Sequence, residues 1–139
     1  MYNNIDINLI TLAAGLGTRT INRSQLPKPF QKVKNKMIIE WSLTSYQYLI
    51  NKRVIKPKNL YFAILEKHQK EFNVIKILKK TFGNSIKIII LKKITKGPME
   101  TALIVSKKIK NDNPIIINDS DHYFDGKALY NSIHKLNFN

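Results

Sequence analysis

Four short apolar runs, each followed by a stretch with another rhythm, constrain this chain more than any other feature. They are INLITLA (residues 7–13), NLYFAIL (59–65), SIKIIIL (85–91) and PIIIN (114–118). Their near-continuous hydrophobicity suits strands of a parallel sheet covered on both faces, not strands with one wet face. Candidate helices lie between them, over residues 37–51, 66–82 and 99–110, and a short last one spans 126–136. In the first, Ile38, Trp41, Ser45, Tyr48 and Leu49 share a face at helical spacing, and Trp41 is expected in the core. Gly83-Asn84 supplies a stop for the second, and Pro98 opens the third. Strands alternating with helices predict an α/β fold. The expectation is a three-layer α/β/α arrangement around a Rossmann-like, mostly parallel sheet, with residues 1–139 forming one unit. Ligands of such sheets bind beyond the carboxyl ends of the strands. Two unusual segments, residues 14–30 and 119–126, follow strands at that edge and are expected to face each other across one cleft.

Composition narrows the chemistry. Of 139 residues, 43% are hydrophobic, enough for a core and too many for a disordered tail. The absence of cysteine removes disulfides, thiolate nucleophiles and cysteine-held metals. No stretch reaches the roughly 18 apolar residues of a membrane span. The first residues lack the basic head and apolar run of a secretory signal, so a cytoplasmic location and no membrane partner are expected. The net charge is +15. Such a charge can mark a nucleic-acid-binding domain. Here Arg19, Arg23 and Arg53 are the only arginines among 24 basic residues, and the lysines are spread along the chain. Arginine is the better bidentate reader of phosphate. Solvated lysine faces are therefore the favoured reading, with a surface field that attracts small polyanions such as nucleotides.

The stretch LAAGLGTRTINRSQLPKPF, residues 12–30, carries the clearest chemistry. A P-loop would need lysine and then serine or threonine after its last glycine, whereas Thr18-Arg19 follows Gly17. A dinucleotide fingerprint would need a third glycine where Thr20 stands, and its second strand would arrive much sooner than residue 59. A third reading uses every part of the stretch. Gly15 and Gly17 permit a tight turn whose backbone N–H groups wrap a triphosphate, and Arg19 meets the phosphates. Pro27 and Pro29 restrict the backbone that carries Lys28, so this lysine can hold an anion at small ordering cost.

L-A-A-G-x-G-T-R followed by P-K-P resembles the signature of the nucleotidyltransferases that make nucleotide sugars. These sugar-1-phosphate nucleotidylyltransferases belong to a wider superfamily that includes molybdenum-cofactor guanylyltransferase and methylerythritol-phosphate cytidylyltransferase. TKGPMETALIVSKKI resembles the family's segment against base and ribose, and PIIINDSDHYFDG its strand ending in a metal-binding aspartate. The three segments occur in the family's order and cover nearly the whole chain. The resemblance implies that Ala13, Ala14, Gly15 and Gly17 lie along base and phosphates. It implies that Thr18 and Arg19 bind the β- and γ-phosphates, that Lys28 contacts the α-phosphate and the incoming sugar phosphate, and that Gly97 approaches the base. Asp121 would hold Mg²⁺. The implied reaction passes an NMP unit from an NTP to a sugar 1-phosphate or similar acceptor and releases pyrophosphate, for nucleotide-sugar and surface-polysaccharide synthesis.

The chain departs from that pattern in three ways. Family catalytic domains are longer, and their second half carries the acceptor pocket and a second metal-binding aspartate. The resemblance thus implies the N-terminal, nucleotide-binding portion, either as a fragment of a longer protein or as a shortened relative, and a module that binds nucleotide without turnover is the alternative reading. Thr20 stands where a bulky apolar residue is usual. The wording TKGPMET leaves the base open, cytosine included. Asp119 and Asp125 read as solvated turn residues or helix caps. Glu100 reads as a first-turn carboxylate with a mainly structural role. His122 reads as a bystander, and His68 and His134 carry no signal.

Overall fold

A computed structural model describes residues 5–17 and 26–136. Strand β1 (Asn8–Ala13) is followed by a 3₁₀ turn at Lys28–Phe30 and a small antiparallel hairpin of β2 (Lys32–Val33) and β3 (Lys36–Met37). Helices α1 (Ile38–Thr44) and α2 (Gln47–Asn51) lead to β4 (Leu60–Leu65). Helices α3 (Glu66–Phe72) and α4 (Val74–Phe82) lead to β5 (Lys87–Leu91), α5 (Pro98–Ser106) to β6 (Ile115–Asp119), and α6 (Gly126–Lys135) closes the order.

The main sheet has the order β5-β4-β1-β6, and every pairing in it is parallel. Strand β1 lies inside, with Leu9 opposite Leu60 on one side and Leu12 opposite Asp119 on the other. The two inner strands match the expected apolar runs: all six residues of β4 are buried, and five of six in β1. The outer strands match less well. Ile90, Ile115 and Ile117 remain exposed, because a strand at the edge of a sheet has a neighbour on one side alone.

Alternation along the inner strands divides the core between two faces. Leu9, Ala13, Leu60, Phe62 and Ile64 pack with Ile39, Leu43, Leu49, Val74, Leu78 and Ile133 from the helices on one face. Ile10, Tyr61, Ala63 and Leu65 pack with Val105 of α5 on the other. Burying a side chain such as Leu9, Phe62 or Ile64 contributes about 1.5–3 kcal/mol relative to leaving it exposed. Helices therefore cover both faces, as the α/β/α expectation requires. The connections β1–β4 and β4–β5 add strands in one direction on one face, and α5 returns the chain across the other face to β6 beside β1. The two faces follow from the right-handed sense of parallel crossovers.

Two expected helices are each broken in two. Residues 66–82 divide at Asn73, which adopts the left-handed conformation at φ 49° and ψ 48°. Asparagine is among the few residues that enter this region readily. Residues 37–51 divide at Ser45-Tyr46, where the N–H groups of both reach back three residues, to Ser42 O and Leu43 O, rather than four. Thr44 also returns its hydroxyl to Glu40 O at 2.9 Å, a bond that bends helices. The buried side of this region runs through Ile39, Ser42, Leu43, Ser45, Tyr46 and Leu49, so Ser45 and Leu49 of the expected face are buried and Ile38, Trp41 and Tyr48 are only partly so. Trp41 is consequently half-buried on the flank, not in the core. Its indole N–H donates to Val33 O at 3.0 Å and its ring receives Lys36 Nζ at 5.1 Å, so it braces the hairpin.

The broken helix leaves a seat for α6. A Cβ on Gly126 would collide with the backbone carbonyl oxygen of Ser45. Overpacking of this kind costs about 1–3 kcal/mol. Gly126→Ala is expected to lower the stability read from urea denaturation by that amount, despite the better helix propensity of alanine. An unchanged denaturation midpoint would contradict this packing.

Candidate active site

The carboxyl ends of β1 and β6 lie side by side, with Leu12 opposite Asp119. Strand addition reverses direction between these two strands, and open α/β sheets bind ligands at such a switch point. A cavity of about 230 Å³ occupies that place. Leu12, Ala14 and Gly15 line it from the end of β1, Ile94, Thr95, Gly97, Pro98 and Thr101 from the start of α5, and Asp119 from the end of β6. It is smaller than the roughly 300–1,000 Å³ of a drug-sized pocket and suits a single heterocycle better than a whole nucleotide.

The residue types of its wall explain its shape. Cβ atoms added at Gly15 or Gly97 would meet no atom within 4 Å, so the space beside both backbones is open. Gly17 takes φ 59°, the left-handed turn that glycine favours. Gly97 caps α5 at its N-terminus and Pro98 follows at the first helical position. The Thr95 hydroxyl lies 3.0 Å from Gly97 O and 2.6 Å from the Thr101 hydroxyl. Glu100 accepts from Lys96 N–H, which fits the structural role expected of a first-turn carboxylate. Asp125 accepts from Lys127 N–H at 2.9 Å and caps α6.

Lys28 sits in the 3₁₀ turn between two buried prolines. Phe30 N–H donates to Pro27 O at 2.8 Å, and the Phe30 ring is wholly buried. The Lys28 ammonium group meets the Asp121 carboxylate at 2.6 Å, across 93 positions of sequence. The two side chains are 43% and 38% exposed, so the pair contributes only about 0.2–1 kcal/mol to stability. Its significance is positional: the segments after β1 and after β6 do close on each other. The bond from Lys28 holds the Asp121 carboxyl below the usual carboxylate range, against the opposing effect of partial burial.

Asp119 and Asp121 place two exposed carboxylates on one turn, with His122 Nδ1 3.5 Å from Asp119 Oδ2. No group of three or more histidine, cysteine or acidic residues is poised for a metal among the described residues. A self-sufficient protein cage is therefore not built here. One or two carboxylates, completed by substrate phosphates, is the donor set that Mg²⁺ accepts.

The expected site residues divide as follows. Ala14, Gly15 and Gly97 line one cavity, and Lys28 and Asp121 meet. Ala13 is fully buried and packs in the core beside them. Thr18 and Arg19 lie outside the described residues. Asp119, Thr95 and Thr101 also line the cavity, although sequence reasoning treated Asp119 as a turn residue and did not select the threonines. The available signal for Asp119 was its place as the last residue of a strand paired with the end of β1.

Neither a protein-family model nor a curated protein sequence matches the chain. Solved structures do. The inositol-1-phosphate CTP transferase from T. maritima superposes with a TM-score of 0.72 at 15% identity, over 95% of this chain and 50% of that one. A nucleoside-diphosphate-sugar pyrophosphorylase from Vibrio cholerae RC9 gives 0.63 at 17% identity, over 84% of this chain and 49% of that one. A Bacillus anthracis protein described as a glucose-1-phosphate thymidylyltransferase, in complex with a sucrose, gives 0.65 at 15%, over 91% and 50%. The chain thus has the fold of these sugar-phosphate nucleotidyltransferases and spans about half the length of each. No helix among the described residues is long and apolar enough to cross a membrane.

A carboxyl with a depressed pKa stabilises the fold above its ordinary range and loses that contribution as pH falls through its folded-state value. In an NMR titration, the Asp121 carboxyl is expected to titrate below the usual carboxylate range. In Lys28→Ala its midpoint should rise towards that range. Equal midpoints in the two proteins would contradict the ion pair.

Proposed function

We propose that the chain is the nucleotide-binding part of a Mg²⁺-dependent nucleotidyltransferase. It passes an NMP unit from an NTP to a sugar 1-phosphate or a related phosphorylated acceptor and releases pyrophosphate. The observation that carries this reading is the meeting of Lys28 with Asp121 at 2.6 Å, on the sheet edge that also holds the base-sized cavity. The roles are those the family resemblance implies, and the positions of Ala14, Gly15, Gly97, Lys28 and Asp121 support theirs. The base lies in the cavity against Ala14, Gly15 and Gly97, with Ala13 supporting the strand end behind them. Gly17 and Thr18 offer the turn and hydroxyl for the β- and γ-phosphates. Arg19 offsets charge on the departing pyrophosphate, and Lys28 holds the α-phosphate and the acceptor phosphate.

An acceptor phosphate oxygen attacks the α-phosphorus in line. The bond from that phosphorus to the bridging oxygen breaks, and pyrophosphate leaves with the electron pair. Such a step needs positioning and charge neutralisation and no covalent enzyme intermediate, which suits a chain without cysteine. Mg²⁺, held by Asp121 with Asp119 as a second carboxylate, would neutralise charge on the phosphate oxygens. Lys28 and Asp121 neutralise each other until substrate arrives; each then exchanges its partner for a ligand of the same charge. Products of this kind are precursors for surface polysaccharide, and their synthesis belongs in the cytoplasm.

Two measurements test the proposal. One NTP, with Mg²⁺, should stabilise the chain against heat, by about 2.7 kcal/mol at a hundred times its Kd. Pyrophosphate release with a panel of sugar 1-phosphates should fall about 10²–10³-fold in Lys28→Ala and in Asp121→Asn, the usual effect of removing a preorganised charge partner. Stabilisation without turnover would favour a binding module. No response to any of the four NTPs would contradict the proposal.

A further inference from the structure

Helix α1 touches both walls of the cleft. At its first turn, Ile38 N–H donates to Gln31 O at 2.9 Å, which seats the helix on the turn that carries Lys28. Its last turn reaches the other wall. The Ser42 hydroxyl lies 3.0 Å from the carbonyl oxygen of Asp119 and 3.2 Å from Asn118 Oδ1. Beyond the helix, the Tyr46 hydroxyl lies 3.3 Å from the same Oδ1, and Asn118 Nδ2 reaches Thr11 Oγ1 on β1 at 3.4 Å. The Ser45 hydroxyl accepts from Phe124 N–H at 2.9 Å, and the Phe124 ring meets the Tyr46 ring edge to face at 5.1 Å.

All of these polar side chains are buried. Thr11, Ser42, Ser45, Tyr46 and Asn118 are each at most 3% exposed, and none of the five lines the cavity. Burial, aided by the charge of Asp119, pushes the Tyr46 hydroxyl up to about 12, so it remains a donor at any ordinary pH. Buried polar groups are costly unless paired, and an apolar core could fill the same space. What this network does that apolar packing cannot is grip two backbone points, Asp119 O and Phe124 N. Those points bracket the residues that carry Asp121. The break at Ser45-Tyr46 serves the same end, since it marks where α1 stops and the helix wall receives the turn.

We propose that Ser42 and Ser45 are positioning residues, which fix the height of the acidic turn over the sheet edge so that the Asp121 carboxylate faces Lys28 and the phosphates. The inference rests on the nucleotidyltransferase reading and deepens it, because it assigns the coupling of metal to nucleotide to residues that touch neither.

The test is calorimetric binding of the four α,β-methylene NTP analogues to the full chain, with and without Mg²⁺. The ratio of the two Kd values measures the coupling. In the wild type, Mg²⁺ should tighten one analogue at least tenfold. Ser42→Ala and Ser45→Ala should each cut that ratio at least fivefold and leave the metal-free Kd within twofold, and Ser45→Thr, which keeps the accepting hydroxyl, should restore it. A ratio unchanged in both alanine variants overturns the inference alone. Equal weakening with and without metal, or loss of cooperative folding in both variants, assigns the network to stability and overturns it too. Wild-type binding indifferent to Mg²⁺ overturns the reading of the site, and this inference with it.

Discussion

Strand β1 is held on both sides by parallel hydrogen-bonded ladders, to β4 through Leu9–Ala13 and to β6 through Asn8–Leu12. Everything at the sheet edge depends on that double register. A slip of one residue would turn Leu9 and Ala13 out of one core and Ile10 out of the other, so burial on both faces locks it. The lock brings Asp119 level with Leu12, and therefore brings the acidic turn level with the glycine-containing segment that leaves β1. No residue of the site has to find this arrangement for itself; the sheet imposes it.

Charge explains why the site is built from so few groups. The chain is strongly basic, and a net charge of +15 favours the approach of small polyanions. Long-range attraction supplies encounter but not orientation. Orientation needs fixed points, and the backbone supplies candidates: buried prolines around Lys28, a helix start at Gly97-Pro98, and a turn gripped at Asp119 O and Phe124 N. The exposed carboxylates of Asp119 and Asp121 are local exceptions in a positive field, which is where the proposed Mg²⁺ would lodge.

Much of this was legible in the sequence, and the remainder failed for identifiable reasons. Continuous apolar runs located all four strands of the main sheet; burial on two faces explains the run in β1 and β4, whereas β5 and β6 are apolar yet partly exposed. Helix existence was legible, and helix continuity was not. Asn73 interrupts a good amphipathic pattern through its own backbone, and Ser45-Tyr46 interrupts another because residues some eighty positions away dock there. The same docking rotated the buried face past Trp41. The hairpin at residues 32–37 escaped notice because two-residue strands carry too little pattern to read. Within the candidate site, the turn at Gly15 and Gly17 and the restricted backbone of Lys28 were legible from local chemistry, and Gly97 from the family resemblance alone. The place of Asp119 in the cavity wall was not, since it comes from the partner strand rather than from its neighbours in sequence. The contact of Lys28 with Asp121 was expected only as a shared cleft; its geometry is a product of tertiary structure.

The central claim is that one bound nucleotide spans the glycine loop, Lys28 and Asp121. A crystal structure of the chain grown with Mg²⁺ and the NTP that stabilises it most would test this directly. The account predicts the base between Gly15 and Gly97, an α-phosphate oxygen on Lys28 Nζ in place of Asp121, and the metal on the freed carboxylate. A nucleotide lodged elsewhere, with the Lys28–Asp121 pair intact, would contradict it.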